Sequence, residues 1–440
     1  MLISHGTYVR RSVTSVEQVD NYRNSYLDRE DLPTCLAPWH ALTIKWGGIV
    51  IPDIIYRRQL GNIYEQPLDE IFNGRKYRLL REAHLRREPP ENCITCQKKE
   101  LSGKSRRMYF WDKLDYEVRD NAHKLKKKTF PDIRYLDFTL SNKCNLACIH
   151  CNPFVSTGWT KDGKKLNKEA PEYWQQADIG YHGAELESLL ANLFVEPLYF
   201  RNLQWLALRG GEPLYDETCI AILRWFVERG QAKNISLDIS TNATVFRDEF
   251  LELFSHFKHV ELLVSIEATD DLYGIIRGGD ACGWDELQDN IEKFYTVENL
   301  EMVFAVTVMT SNVFALAEVW DWFHEKHEYR ASISMSNVVV NPNYLNIAMM
   351  PQELKDLALE KLKDIPNTSV WPEGTYHKGE FDYQTGVQSI RDGLNTQVDP
   401  KEQERYWKWF LQYTADLDRL RKTDTLSLIP EIKEYVEKNK

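Results

Sequence analysis

The chain has 440 residues, of which 43% are hydrophobic and 28% charged, so its length allows two or three domains around a sizeable core. Its net charge of -11 at pH 7 argues against general nucleic-acid binding, because phosphate affinity depends on clustered Lys and Arg. No apolar run reaches the roughly 20 residues of a membrane helix, and the stretch MLISHGTYVRRSVTS lacks the apolar core of a secretory signal. We therefore expect a cytoplasmic protein with no membrane partner.

A β-hairpin is the first element that the sequence predicts. Residues 37–53, APWHALTIKWGGIVIPD, carry two apolar or alternating runs around a Gly-Gly pair. A helical pattern, QPLDEIFNGRKYRLLREAH, follows, and it leads to a Cys-x-x-Cys pair at Cys93 and Cys96. A unit of this size buries little core by itself, so a bound metal cluster would help to stabilise it.

Strand and helix signals alternate from residue 132 onward, which predicts parallel βαβ units. Six strands are predicted, at 133–140, 203–209, 235–241, 259–266, 302–309 and 331–339. A complete eight-unit barrel takes about 250 residues, so we expect an α/β fold with a partial, open, TIM-like (β/α)6 barrel. The predicted domains are an arm at 1–29, a small hairpin-and-helix domain at 30–112, a basic linker at 113–131, the barrel at 132–345 and a helical region at 346–440.

Three of the eight cysteines crowd into one short stretch, CNLACIHC, directly after the first predicted barrel strand. Clustered thiols in a reducing compartment indicate a metal or redox site. A structural zinc ion needs four ligands, and His150, which lies between two of the thiols, is awkwardly placed as the fourth. Three thiolates on a four-iron cluster instead leave one iron open to a substrate or cofactor. Zinc, or buried free thiols, remains the alternative.

The Cys-x3-Cys-x2-Cys spacing of Cys144, Cys148 and Cys151 resembles the signature of radical S-adenosylmethionine enzymes, and LRGGEPL at 208–214 resembles their Gly-Gly-Glu-Pro motif. The resemblance implies a [4Fe-4S] cluster that reduces S-adenosylmethionine to a 5′-deoxyadenosyl radical, which abstracts a hydrogen atom from the substrate. An external reductant such as flavodoxin or ferredoxin is implied as well. The cofactor-binding positions that the family motifs imply are Gly210, Gly211, Glu212, Pro213, Ser240, Asn242, Ser265, Glu267, Arg277 and Asn312.

The amino-terminal unit resembles the SPASM or twitch domain of the same superfamily, which holds an auxiliary iron–sulfur cluster. That domain usually follows the barrel, whereas here it precedes it. The resemblance implies Cys35, Cys93 and Cys96 as ligands, and Asp53 stands where the family often has a cysteine after the proline. Asp53 then either ligates iron or leaves one iron open; zinc, or no metal, is the alternative.

The substrate is the least determined part of the prediction. Relatives with such domains often modify peptides, so a peptide or protein side chain is the first hypothesis, and a small metabolite such as a sugar, nucleotide or amino acid is the second. A non-catalytic electron-transfer protein is the third, although it would not need a Gly-Gly-Glu-Pro motif. Cys282, just before a predicted helix, is a candidate hydrogen donor to a substrate radical or an idle loop thiol. The aromatic run at 406–413 is expected to serve helix packing.

Overall fold

The computed structural model describes residues 33–88, 90–96, 106–183, 186–194, 196–278, 283–365 and 386–439. Within these ranges the chain forms one nine-stranded sheet in the order β3-β2-β1-β4-β5-β6-β7-β8-β9. The strands are β1 (Ala41–Lys45), β2 (Ile49–Ile51), β3 (Gly61–Asn62), β4 (Tyr135–Thr139), β5 (Trp205–Arg209), β6 (Ser236–Thr241), β7 (His259–Ser265), β8 (Leu300–Val308) and β9 (Ala331–Val338).

The barrel strands agree with the sequence prediction. Strands β4 to β9 pair in chain order, and every neighbouring pair among them is parallel. Each lies within or close to one of the six predicted runs. The open parallel sheet confirms the partial TIM-like barrel, with helices in the connections and a helical carboxyl-terminal region.

Helices fill the connections and both ends of the described chain. They are α1 (Ala37–His40), α2 (Leu68–Phe72), α3 (Arg75–Leu85), α4 (Arg106–Lys113), α5 (Tyr116–Asp120), α6 (Thr160–Glu169), α7 (Leu186–Asn192), α8 (Glu217–Glu228), α9 (Asp248–Ser255), α10 (Asp270–Arg277), α11 (Trp284–Phe294), α12 (Leu316–Lys326), α13 (Gln352–Lys361), α14 (Gly386–Asn395), α15 (Pro400–Arg421) and α16 (Pro430–Lys438). None of these helices is both long enough and apolar enough to cross a membrane.

The predicted amino-terminal hairpin is present, and it extends the barrel sheet. Strand β1 pairs antiparallel with β2 and parallel with β4, from Ala41 opposite Tyr135 to Lys45 opposite Thr139. Because β1 and β4 are parallel, the hairpin tip at 46–48 lies at the same sheet edge as the chain that leaves β4. Strand β2 runs back, so the residues after Ile51 lie toward the opposite edge.

Two apolar clusters pack against the two faces of the sheet. One includes Leu42, Leu136 and Leu206 from neighbouring strands, all fully buried. The other includes Tyr135 and Trp205, which point to the opposite face and contact α4. This alternation follows from the two-residue period of strands. It places α4 close to the starts of β4 and β5, and at the start of β5 Trp205 Nε1 donates to the Lys113 carbonyl at 2.8 Å.

Candidate metal and cofactor sites

The cysteine loop follows β4 at the carboxyl-terminal edge of the sheet. Among the residues that the structure describes, only Cys148, His150 and Cys151 bring three donor atoms within 4.8 Å of one another. The Cys151 thiol donates to Cys148, which together with nearby Arg277 holds the pKa of Cys148 well below its usual range. Burial raises the pKa of Cys144 to about 12, so this thiol needs a metal cation to become a ligand.

Hydrogen bonds to backbone atoms hold this loop in place. Thr157 Oγ1 accepts from the Cys144 amide at 3.1 Å and donates to the Cys144 carbonyl at 3.0 Å. Trp159 Nε1 donates to the Cys148 carbonyl at 3.0 Å. Helix α15, in the carboxyl-terminal region, adds two more hydrogen bonds. The Tyr413 hydroxyl donates to the Ile149 carbonyl at 2.5 Å, and Arg421 Nη2 donates to the Ala147 carbonyl at 2.8 Å. The aromatic run at 406–413 therefore holds the cysteine loop as well as packing a helix, which the sequence did not indicate.

The Gly-Gly turn after β5 lies directly against the start of the cysteine loop. Gly210 and Gly211 have positive φ angles of 79° and 50°. A Cβ atom on Gly210 would lie 2.3 Å from Thr139 Cγ2, and one on Gly211 would lie 2.4 Å from the Lys143 carbonyl oxygen. Only glycine therefore permits this close approach. The backbone N–H of Glu212 also donates a hydrogen bond to the same Lys143 carbonyl at 2.8 Å.

The Glu212 carboxylate joins the ends of β5 and β6. It accepts from Thr241 Oγ1 at 2.6 Å, from the Asn242 amide at 2.6 Å and from the Leu214 amide at 3.1 Å. Burial raises the pKa of Glu212 to about 7. In the structure the Glu212 side chain thus links the ends of β5 and β6 by hydrogen bonds. Its contact with the amino group of S-adenosylmethionine remains a prediction.

Asn242 connects β6 to the cysteine loop. Its Nδ2 donates to Asn145 Oδ1 at 3.0 Å and lies 3.9 Å from Cys144 Sγ. Ser240, two residues earlier in β6, accepts from Arg209 Nη1 at 2.8 Å. Of the two predicted β6 positions, Asn242 therefore lies beside the Cys144 thiol, whereas Ser240 bonds Arg209.

A buried ion pair lies beside Cys148. Arg277, at the end of α10, is 2.6 Å from Glu267 after β7, and its Nη1 lies 3.6 Å from Cys148 Sγ. The two residues are 5% and 1% exposed. Neither Glu267 Oε1 nor Arg277 Nε has a hydrogen-bond partner among the described residues. Unpartnered buried polar atoms are costly, so the pair fits a polar ligand such as the amino-acid or ribose groups of S-adenosylmethionine.

The other predicted cofactor positions lie at the same edge, with different roles. Asn312 donates to the carbonyls of Glu267 at 2.8 Å and Thr307 at 3.0 Å, and its Oδ1 accepts from the Met309 amide at 2.8 Å. These bonds join the ends of β7 and β8. Pro213 is buried, and Ser265 is half-buried at the end of β7. Cys282 lies outside the described residues.

The four predicted auxiliary ligands line one cavity near the amino-terminal edge of β1. Its empty volume is about 390 Å³, and Cys35, Asp53, Cys93 and Cys96 are all on its wall. Burial raises the pKa of Cys93 well above its usual range, and the neighbouring Cys35 and Cys96 thiols add to this shift. The fold thus brings residue 35 close to residues 93 and 96, and the set of thiols fits an iron–sulfur cluster.

Two further side chains on this cavity wall were missed from the sequence, Arg106 and His84. Arg106 on α4 binds both carboxylate oxygens of Asp53, with Nε 3.2 Å from Oδ2 and Nη2 bonded to Oδ1. His84 Nε2, on α3, lies 3.9 Å from Cys93 Sγ. Burial lowers the pKa of His84 to about 3, so the imidazole is neutral at pH 7. The only sequence signal for His84 is its place on the apolar stripe of a helix that leads to the Cys-x-x-Cys pair.

Comparison with known proteins gives a family match for the amino-terminal unit and one curated relative. Residues 35–97 match the family SPASM, described as an iron-sulfur cluster-binding domain. Over 180 residues the chain is 26% identical to the sporulation killing factor maturation protein SkfB of Bacillus subtilis (strain 168), covering 41% of this chain and 37% of that protein. The chain thus spans little more than a third of the length of this curated relative.

Solved structures are similar at low identity. The native anSMEcpe with bound AdoMet is 17% identical, with a TM-score of 0.33, over 46% of this chain and 50% of that one. Streptococcus suis SuiB bound to precursor peptide SuiA is 16% identical, with a TM-score of 0.34, over 62% of this chain and 59% of that one.

Proposed function

We propose that this chain, a radical S-adenosylmethionine enzyme with an amino-terminal SPASM domain, modifies a peptide or protein side chain by hydrogen abstraction. Cys144, Cys148 and Cys151 would hold a [4Fe-4S] cluster that, with S-adenosylmethionine bound and an electron from a donor such as flavodoxin or ferredoxin, supplies a 5′-deoxyadenosyl radical. The observation that carries the proposal is the buried Arg277–Glu267 pair beside the thiols, with polar atoms that a polar ligand would satisfy.

The residues of the chain provide position and charge for this chemistry. Thr157, Trp159 and Tyr413 restrain the backbone of the cysteine loop through three of its carbonyls. Arg277 places a cation next to Cys148, which favours the thiolate form that binds iron. The positive φ angles of the Gly-Gly turn expose backbone amide and carbonyl groups at the same edge, where a ligand can approach closely. Three thiols would hold three of the four irons and leave the fourth available to the cofactor.

An aromatic rim beside the cysteine loop favours a large substrate over a small metabolite. Trp46 at the hairpin tip stacks on His182 at 5.2 Å and meets Phe154 edge-on at 4.6 Å. Phe154 is 36% exposed and Tyr181 57%. Exposed aromatic surface is typical of protein–protein contacts. The curated relative, named as a maturation protein for a killing factor, supports the same class of substrate.

The first test is cleavage of S-adenosylmethionine by the anaerobically reconstituted and reduced chain. The variant Cys144→Ala/Cys148→Ala/Cys151→Ala should produce no 5′-deoxyadenosine. The matched control is Cys219→Ala, which removes a buried thiol on α8 outside the cysteine loop, and this variant should still produce 5′-deoxyadenosine. A fully loaded wild type that yields none would favour an electron-transfer protein.

The substrate class needs a second assay. Peptide and metabolite libraries are screened for compounds that increase 5′-deoxyadenosine formation and change in mass. A peptide that satisfies both criteria supports the proposal. A response confined to small metabolites would overturn the peptide assignment while leaving the radical chemistry in place. Substitution of Trp46 by Ala should weaken the response to a peptide without reducing basal cleavage.

A further inference from the structure

We infer that His84, and not Asp53, is the fourth ligand of the auxiliary iron–sulfur cluster, together with Cys35, Cys93 and Cys96. All five residues lie on the wall of the same cavity. The inference concerns the SPASM domain alone and holds whether or not the chain cleaves S-adenosylmethionine.

Asp53 is already committed to another partner. Both of its carboxylate oxygens bind the Arg106 guanidinium, which is itself held over the rings of Tyr109 at 4.1 Å and Phe110 at 5.2 Å. Asp53 is 7% exposed. Moving the carboxylate to an iron would leave the half-buried guanidinium, whose side chain is 22% exposed, without its counter-ion, which is unfavourable.

His84 is placed for ligation, and within the described ranges no carboxylate pairs with it. Its Nε2 is 3.9 Å from Cys93 Sγ, on the buried face of α3. One turn earlier, Arg81 donates to the carbonyls of Pro38 at 2.8 Å and Phe72 at 2.7 Å, which fixes α3 against α1. Because α1 begins two residues after Cys35, the same contacts hold the imidazole and the Cys35 thiol at one cavity.

The chemistry of the donor atoms agrees with this geometry. Imidazole suits iron, whereas a carboxylate is a harder ligand that prefers magnesium, calcium or manganese. A neutral imidazole in place of a thiolate makes the cluster less negative and raises its reduction potential, as in centres where histidine replaces cysteine. The Asp53–Arg106 ion pair then lies beside the cluster and influences its reduction potential without binding iron.

The test uses the full chain with Cys144→Ala/Cys148→Ala/Cys151→Ala, so that only the auxiliary cluster can form. The reconstituted and reduced protein is prepared with ordinary histidine and with ¹⁵N-histidine. Pulsed EPR should detect a directly coordinated nitrogen that changes from ¹⁴N to ¹⁵N with the label. His84 is the only histidine on the described cavity wall, so it would be the source. This measurement needs no substitution at position 84 and no cofactor cleavage.

Substitutions then separate the two candidate ligands. His84→Cys should retain iron, lose the nitrogen coupling and shift the midpoint potential to a lower value. Asp53→Asn should retain both the iron and the coupling. The inference is overturned if the iron-loaded protein carries no histidine nitrogen coupling, if Asp53→Asn abolishes the cluster while His84→Cys leaves its spectrum unchanged, or if the site takes up zinc and no iron.

Discussion

The two thiol sites lie near opposite edges of one sheet and are assembled in different ways. The carboxyl-terminal site takes three cysteines from one eight-residue stretch, whereas the amino-terminal site joins Cys35 to a pair that follows it by 58 residues (93 − 35). The edges are about 16 Å apart along the five residues of β1. The first site is held by bonds to the backbone of its own loop, and the second by the packing of α1 and α3.

Each site also has an arginine paired with a buried carboxylate, with different consequences. Arg277 lies against Cys148 and Glu267, so its charge acts on a thiol. Arg106 binds the carboxylate of Asp53, the residue that the sequence suggests as a fourth ligand. This difference indicates that adjacent thiols form a site through local sequence alone, whereas the distributed site depends on the fold to bring its side chains together.

Substitution of each arginine should give the largest difference between the two sites. Arg277→Met and Arg106→Met each leave a buried carboxylate unpaired, which should lower the free energy of unfolding by about 3–5 kcal/mol. Only Arg277→Met should also weaken S-adenosylmethionine binding, by about tenfold or more. Urea unfolding and equilibrium dialysis measure the two effects. Equal losses of cofactor affinity in both variants would contradict the separation of the sites.

In metal-free protein, Glu212 and His84 should change the free energy of unfolding in opposite directions as pH rises. The pKa of Glu212 rises from 4.5 to about 7 on folding, so the folded chain binds more protons in that window, and its stability should decline as pH rises. The shift corresponds to roughly 3 kcal/mol. The pKa of His84 falls from 6.5 to about 3, so its contribution should instead grow as pH rises between these values.

Unfolding free energies measured from pH 3 to 8 in metal-free protein test this difference. Glu212→Gln should remove the decline above pH 4.5, and His84→Gln should remove the gain below pH 6.5. Parallel changes in the two pH profiles would show that one common group, rather than the two sites, dominates the titration.

A methyl group on the turn beside the cysteine loop should have a smaller effect. Gly211→Ala and Gly230→Ala both place alanine at a positive φ angle, but only Gly211 would direct its Cβ against a backbone carbonyl. We expect Gly211→Ala to destabilise the chain by about 1–3 kcal/mol more than Gly230→Ala. Thermal unfolding and iron content after reconstitution measure this, with the Gly230 variant retaining its iron. Equal melting temperatures would mean that the turn shifts freely.

The smallest predicted effect is the loss of one hydrogen bond from α15. Tyr413→Phe removes the bond to the cysteine-loop carbonyl and should cost about 1 kcal/mol in unfolding free energy, with slower 5′-deoxyadenosine formation. Tyr406→Phe on the same helix removes only an exposed bond to Arg405 and serves as the control. If both variants behave like wild type, α15 does not position the loop.

Local sequence patterns were sufficient for most of the barrel. Six strand predictions match β4 to β9, and the spacing of Cys144, Cys148 and Cys151 indicated the loop that follows the first of them. These predictions succeed because strand periodicity and thiol spacing are properties of a few adjacent residues. The pairing of β1 with β4 was not predicted, since nothing in 37–53 specifies which strand edge the hairpin joins.

The barrel strands, the three thiols of the cysteine loop and the glycine turn beside them follow from the sequence alone, because each depends on short-range geometry. The pairing of Arg106 with Asp53, the approach of His84 to Cys93 and the bond from Tyr413 to the cysteine loop are seen only in the folded chain. Those contacts join residues 9 to 264 positions apart, and helix packing brings them together. The side chains that complete each site are thus brought there by helix packing, whereas the positions of most of its thiols can be read from their spacing in the sequence.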